Sequence, residues 1–321
     1  MNQDISICVL TENEMGWTEP FELDKVQILD NYYLSAQKSD IAFLKKMDTA
    51  RLLAGFRTTA GIDTKGVRPY GGWEDSLLGG HCVGHYLTAL AQAVKVTGDK
   101  ELKEKSQTLI AGLEECQKKL GTGFLFGAKV EDKEDVEKQF DILEGKKKGE
   151  TWVPWYNMHK VLAGLVDTYK YTGNETALLV AEKLGDWIYE RVSKWDLKTN
   201  QKVLETEYGG MNDCLYELYS YSHNKHHLEA AQKFDEKALF LMAAKGEKNC
   251  LDGKHANTQI PKFIGAIKRY NVLKQLGEAK QEDEAYLVDA EKFFEMVVKR
   301  HSFVTGGISV MEHFRKDYHL D

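Results

Sequence analysis

Apolar positions recur at helical spacing along almost the whole chain. Ile41, Leu44, Met47, Leu52, Leu53 and Phe56 fall at intervals that one face of a helix requires. The preceding stretch, 26–39, reads either as a helical lead-in or as an irregular segment. A unit then appears and repeats. The run from His85 to Val96 is followed by Thr97-Gly98-Asp99, and the run from His159 to Tyr171 by Thr172-Gly173-Asn174. A third copy runs from Asn212 to the turn His223-Asn224-Lys225, and a fourth from Phe263 to Leu273 with Gly277 in its turn. Gly or Asn ends one helix and a polar turn starts the next. Turns beginning at Thr97, Thr172, Ser222 and Leu276 therefore predict a chain of helical hairpins.

The first helix of each pair is small, aromatic and largely apolar. The second, over 100–119, 175–194, 226–245 and 283–300, carries more charge. Such alternation predicts an inner layer lining a core and an outer layer facing water, as in an α/α toroid or an α-solenoid. Segment 121–150 is bounded by glycine and rich in charge. It reads as an excursion over the surface, its Lys146-Lys147-Lys148 run a solvated loop.

Composition narrows the function. The 321 residues suffice for a sizeable core, and only four prolines exclude Pro-rich architectures. A net charge of −7 without a basic stripe argues against nucleic acid or an anionic membrane surface as partner. No apolar run approaches the ~18 residues of a membrane-spanning helix. The apolar stretch from Ile5 to Leu10 is short, lacks a basic flank and ends in Thr11-Glu12, unlike a secretion leader. Cys8, Cys82, Cys116, Cys214 and Cys250 are widely spaced, which suits the reduced thiols of a cytoplasmic protein.

Polar residues gather where the inner helices begin. His81 and His85 share one helix face, and His159 follows Tyr156-Asn157. Glu207, Asn212 and Asp213 surround Gly209-Gly210. His255, Asn257 and Gln259 precede the fourth inner helix, and Glu312 and His313 follow Gly306-Gly307. In a toroid these stretches converge on one mouth, here walled by Trp73, Trp152, Trp155 and Tyr156. Imidazoles, carboxamides and carboxylates beside stacking aromatics make a sugar pocket. Plainer roles compete with that reading. His81 and His85 fit equally well as satisfied core histidines, and no acidic partner at zincin spacing supports metal binding by the pair. The tryptophans suit packing, Asn212 and Asp213 suit helix caps, and Glu207 suits a supporting or surface carboxylate.

These residues resemble the β-L-arabinofuranosidase clan, glycoside hydrolase families 127 and 146. The resemblance runs from about Val26 to the C-terminus. It is carried by Arg51-Leu-Leu-Ala-Gly-Phe-Arg57, Gly72-Trp-Glu-Asp, Gly80-His-Cys-Val-Gly-His-Tyr86 and Tyr156-Asn-Met-His-Lys160. Further along it continues in Glu207-Tyr-Gly-Gly-Met-Asn212, His255-Ala-Asn-Thr-Gln-Ile-Pro-Lys262, Gly306-Gly-Ile-Ser and Glu312-His-Phe314. It implies an (α/α)6 barrel that removes terminal β-L-arabinofuranosides from plant glycans with retention, using a cysteine nucleophile held on zinc. Glu312 matches the acid/base glutamate. His159, His255 and one or both of His81 and His85 match sugar-binding histidines, with Trp73, Tyr156, Asn212 and Asn257 as further substrate contacts.

The family pattern places a Glu-x-Cys and then paired cysteines after the acid/base glutamate, and none of the five cysteines here lies in those motifs. Cys82 has the neighbours of a helix motif, not of a zinc site. The expectation is therefore a lead-in over 1–25 and, over 26–321, an incomplete toroid short of its last helices. It holds no metal ligands of its own and exposes apolar helix flanks that invite oligomerisation or a complementary C-terminal part. Two alternatives remain. One is an (α/α)6 sugar epimerase using His81, His159, His255 and Glu312 without metal; the other is a non-catalytic carbohydrate-binding helical protein.

Overall fold

The computed structural model describes residues 20–130, 132–308 and 311–320. Cys8, the Ile5–Leu10 stretch, most of the 1–25 lead-in and Ser309 lie outside the described residues. The chain opens with α1 (Asn31–Lys46), α2 (Thr49–Thr59), α3 (His81–Thr97) and α4 (Lys100–Leu120). It continues with α5 (Lys138–Leu143), α6 (Pro154–Thr172), α7 (Glu175–Val192), α8 (Leu197–Leu204) and α9 (Met211–Ser222). The last elements are α10 (Lys225–Lys233), α11 (Lys237–Ala244), α12 (Ala256–Gln275) and α13 (Glu284–Arg300). Among the described residues there is no β-strand, and one isolated bridge joins His255 to His313.

Local chemistry sets the hairpin turns. Gly98 and Gly173 end α3 and α6 at φ +66° and +67°, and the Asp99 and Asn174 side chains then cap α4 and α7. In the third turn His223 takes the left-handed position at φ +52°, and Asn224 caps α10. The four expected hairpins are present, α3–α4, α6–α7, α9–α10 and α12–α13. Inner helices α3, α6, α9 and α12 pack side by side in that order, with α4, α7 and α10 outside them and α11 packed on α13.

The structure departs from the sequence expectation in three places. The apolar run 41–56 is broken at Met47, where Asp48 caps a new helix through the backbone N–H of Ala50. The outer helix expected over 226–245 is interrupted by Phe234 and Asp235, because both side chains turn into the core. Segment 121–150 is only partly a surface excursion. Phe124, Leu125 and Phe126 are buried, and Phe140 of α5 packs on Trp155 and Trp187. Its acidic residues Glu137, Asp141 and Glu144 hold Arg191 of α7. The lysine run does lie outside, Lys147 bridging Asp135 and Asp141.

α3 and α6 cross with their backbones in contact. A Cβ on Gly84 would sit 1.9 Å from the carbonyl oxygen of Lys160, and one on Gly164 would sit 2.5 Å from that of Gly84. Gly84→Ala is therefore expected to cost at least ~1–3 kcal/mol, since backbone rather than a flexible side chain must yield. An unchanged urea midpoint would show that the helices do not meet this closely.

Buried apolar residues form two clusters. The larger spans α2 to α10 and the C-terminal end of α12, and the smaller joins α11, α13 and the N-terminal half of α12. A buried polar network lies between them. Arg269 is held by Asp235 at 2.9 Å and Asp283 at 2.7 Å, and donates to the Tyr286 hydroxyl at 2.9 Å. Beyond this second cluster, α12, α13 and residues 302–308 line an apolar groove of about 720 Å³. Ile264, Phe294, Val298 and Val304 stand exposed on it.

Candidate active site

The start of α3 is built around a buried carboxylate. Gly80 at φ +93° folds the chain back, so that Glu74 accepts the backbone N–H groups of Gly80 at 2.9 Å and Cys82 at 3.2 Å. The same carboxylate lies 2.9 Å from Nδ1 of His81, which also faces the carbonyl of Leu78 at 2.8 Å. Burial opposes charge on the His81 ring, but the Cys82 sulfur and Glu74 outweigh it and raise the ring to about 10. Glu74 is itself disfavoured by burial, yet His81 and the two backbone donors hold it below the usual carboxylate range. His85, one turn further and open to solvent, is pushed down by desolvation and then by Lys160 and His81.

Aromatic rings complete this side. Trp73 and Trp152, both exposed, stand 5.4 Å apart, and Tyr156 lies 6.2 Å from His81. The Lys160 ammonium sits 4.7 Å from the Tyr156 ring centre, and burial holds it below its ordinary value. His159 is buried beneath them. Its Nδ1 accepts the backbone N–H of Gly210 at 3.0 Å, which leaves Nε2 to carry the proton. Burial, reinforced by Lys160 and His85, holds this imidazole well below its normal pKa. Only glycine fits at position 209, where φ is +59° and a Cβ would lie 2.4 Å from that Nδ1.

The opposite side is formed by the start of α12 and the last described segment. Residues 253–256 pair with 312–314 through main-chain bonds, including Ala256 N–H to the Glu312 carbonyl at 2.8 Å. This places the Glu312 carboxylate 3.0 Å from Nε2 of His255, whose Nδ1 faces the Thr258 hydroxyl at 2.7 Å. Met311 and Glu312 both have positive φ, +52° and +65°, a strain of ~1–3 kcal/mol each for residues with side chains. Glu207 lies on the other edge of the His255 ring, 3.9 Å from Nδ1. Burial raises the Glu207 carboxyl, His255 and Lys160 oppose that rise, and its Oε1 has no hydrogen-bond partner among the described residues.

Of the expected site residues, Trp73, His81, His85 and Tyr156 stand exposed or half-buried around the starts of α3 and α6 with His159 beneath, and His255 and Glu312 pair at the start of α12, with Glu207 acting electrostatically on both His255 and Lys160. Asn257 is exposed in the first turn of α12. Asn212 is different. It is fully buried, and its amide donates to Asp235 and to the Lys262 carbonyl, so it ties α9 to α12 and is withheld from any substrate. It is also not the helix cap, a position taken by Gly210. Trp155 is no wall of the mouth either. One residue from Tyr156 along α6, it points the other way and packs with Phe140, Trp195 and Phe234.

Glu74 and Lys160 stand within quoted motifs, yet only the fold reveals the first beside His81 and the second above Tyr156. The zinc implied by the resemblance finds no fitting donors among Cys116, Cys214 and Cys250. Burial pushes the first thiol up to about 12 and the second well above its usual value, and the third lies against Met296. No helix among the described residues is long and apolar enough to cross a membrane.

The family model described as β-L-arabinofuranosidase, GH127 catalytic domain, matches residues 25–321. No curated protein sequence matches the chain. A GH127 β-L-arabinofuranosidase from Geobacillus stearothermophilus T6 superposes with a TM-score of 0.54 at 17% identity, over 93% of this chain and 47% of its own. The GH127 β-arabinofuranosidase BT3674 gives 0.60 at 16% identity, over 94% of this chain and 47% of its own. The chain thus spans about half the length of these similar structures, whose helical toroid it shares. With the model matched over nearly its whole length, the chain belongs to the GH127 β-L-arabinofuranosidase catalytic-domain family.

Proposed function

We propose that this chain supplies the sugar-binding and proton-transfer residues of a retaining glycosidase that frees L-arabinose from terminal β-L-arabinofuranosides of plant glycans. The observation that carries the reading is the pairing of Glu312 with His255 on a strained turn at the rim of an aromatic mouth. Trp73 and Trp152 offer exposed faces to the apolar side of a sugar ring. His81, His85, Tyr156 and the Nε2–H of His159 provide hydrogen bonds to its hydroxyls. Glu312 protonates the departing oxygen as a separate nucleophile bonds to the anomeric carbon, then takes a proton from the water that displaces that nucleophile and completes hydrolysis. His255 holds the Glu312 carboxylate in place, and Glu207 is a second carboxyl on the far edge of the same ring.

The test is product analysis in the longest polypeptide that carries this sequence. Incubation with an aryl β-L-arabinofuranoside is expected to release L-arabinose and to leave free sugars unconverted. Interconversion of free pentoses or hexoses without release from the glycoside would replace hydrolysis with sugar epimerisation. Sugar-dependent stabilisation with no turnover of either kind would leave a binding protein.

A further inference from the structure

We propose that Asp317 is a positioning residue for Glu312, fixing the far end of the ladder whose near end pairs Glu312 with His255. The inference rests on the proposed reaction, in which Glu312 is the acid/base. The ladder is antiparallel. Ala256 N–H meets the Glu312 carbonyl at 2.8 Å, Phe314 N–H the Lys254 carbonyl at 2.9 Å, and Gly253 N–H the Phe314 carbonyl at 3.0 Å. Asn249 and Asp317 then close it with two bonds. The Asp317 N–H donates to Oδ1 of Asn249 at 3.0 Å, and Oδ1 of Asp317 accepts the Asn249 N–H at 3.3 Å.

The Asp317 carboxylate also ties the ladder to the end of α13. Its Oδ2 accepts Nη1–H of Arg300 at 3.1 Å, and its Oδ1 lies 3.4 Å from Nε2 of the buried His301. One residue on, the Tyr318 N–H reaches the Arg300 carbonyl at 2.9 Å. The Asp317 side chain is only 7% exposed, whereas Glu312, His313, Arg315 and Lys316 all stand in solvent. Phe314, fully buried, and Asp317 thus anchor this segment from beneath. Apolar burial is non-directional, but a charged carboxylate with several donors fixes one geometry. The turn needs that hold. Met311, Glu312 and Asn249 all keep positive φ, a strained state that persists only where the surrounding structure over-determines it. A general acid must stay within hydrogen-bond reach of the oxygen it protonates, and a displacement of ~1 Å costs ~10²-fold in rate.

The experiment introduces Asp317→Asn, a near-isosteric change, into the longest polypeptide that carries this sequence. Activity is read on an alkyl and an aryl β-L-arabinofuranoside. On the alkyl glycoside kcat is expected to fall about 10–100-fold with KM little changed, and the aryl glycoside is expected to lose far less. In a Glu312→Gln background the same change is expected to add almost no further loss, because its effect passes through a carboxyl group already removed. Asn249→Gly suits the φ of +58° and deletes one of the two closing bonds. It is expected to give the same pattern more weakly, and it carries the test if circular dichroism shows Asp317→Asn unfolded. Equal losses on the two glycosides, a full added loss beside Glu312→Gln, or no loss at all would overturn the assignment. An inactive parent or an inert Glu312→Gln would instead overturn the proposed reaction, and this inference with it.

Discussion

Arg269→Ala is expected to lower the stability of the chain by about 3–5 kcal/mol, the cost of stranding a buried charge. The guanidinium is nearly inaccessible and lies between Asp235 and Asp283, both buried. Asp235 also accepts the Tyr216 hydroxyl at 2.7 Å and the Asn212 amide at 3.3 Å, so one arginine anchors residues of α9, α12, α13 and the break before α11. With it gone, two carboxylates have no cation in a region that water reaches poorly. A domain holds only about 5–15 kcal/mol in reserve, so much of that margin would be lost. The comparison variant is Lys292→Ala, which breaks an exposed pair with Glu295 at 3.4 Å and is expected to cost less than ~1 kcal/mol. Urea midpoints measured side by side decide the matter. If the two variants fall together, the network between the two apolar clusters holds nothing.

Glu312→Gln is expected to reduce hydrolysis of a glycoside with a poor leaving group by about 10²–10⁴-fold, the usual worth of a positioned general acid. Glutamine keeps the size of the side chain and still reaches Nε2 of His255, so the turn at 311–312 is preserved. It lacks the proton that an alkyl leaving group needs. An aryl glycoside with a good leaving group departs without that help, and its bond-breaking step is expected to fall far less. Equal losses on the two substrates would point to damaged binding, and no loss on either would remove Glu312 from the proposed reaction.

The hairpins were legible because each turn is specified by adjacent residues. Gly98 before Asp99, or Gly173 before Asn174, states both where one helix stops and where the next is capped. The break at Met47 was hidden because the apolar spacing runs straight through it, and Asp48 becomes a cap only when its side chain turns back. The interruption at Phe234 depends on Asp235 reaching Arg269, a partner 34 residues away. At the site, residue type revealed chemistry but not direction. Trp155 and Tyr156 are neighbours in sequence, yet helix geometry sends one into the core and the other to the mouth. Asn212 suits a sugar contact and an interhelical tie equally well by type, and its burial assigns the second. Glu74 and Lys160 had no signal of their own, because each acts through a ring that tertiary packing brings to it.

The apolar groove beside α13 changes how this protein must be watched while it unfolds. Phe294, Val298 and Val304 offer an oily surface while every helix is in place. A dye such as ANS will therefore light up on the native chain, and its fluorescence cannot diagnose a molten state here. The aromatic knot of Trp155, Trp187, Trp195, Phe140 and Phe234 supplies the better gauge, because its near-ultraviolet dichroism vanishes only when those rings lose their fixed packing.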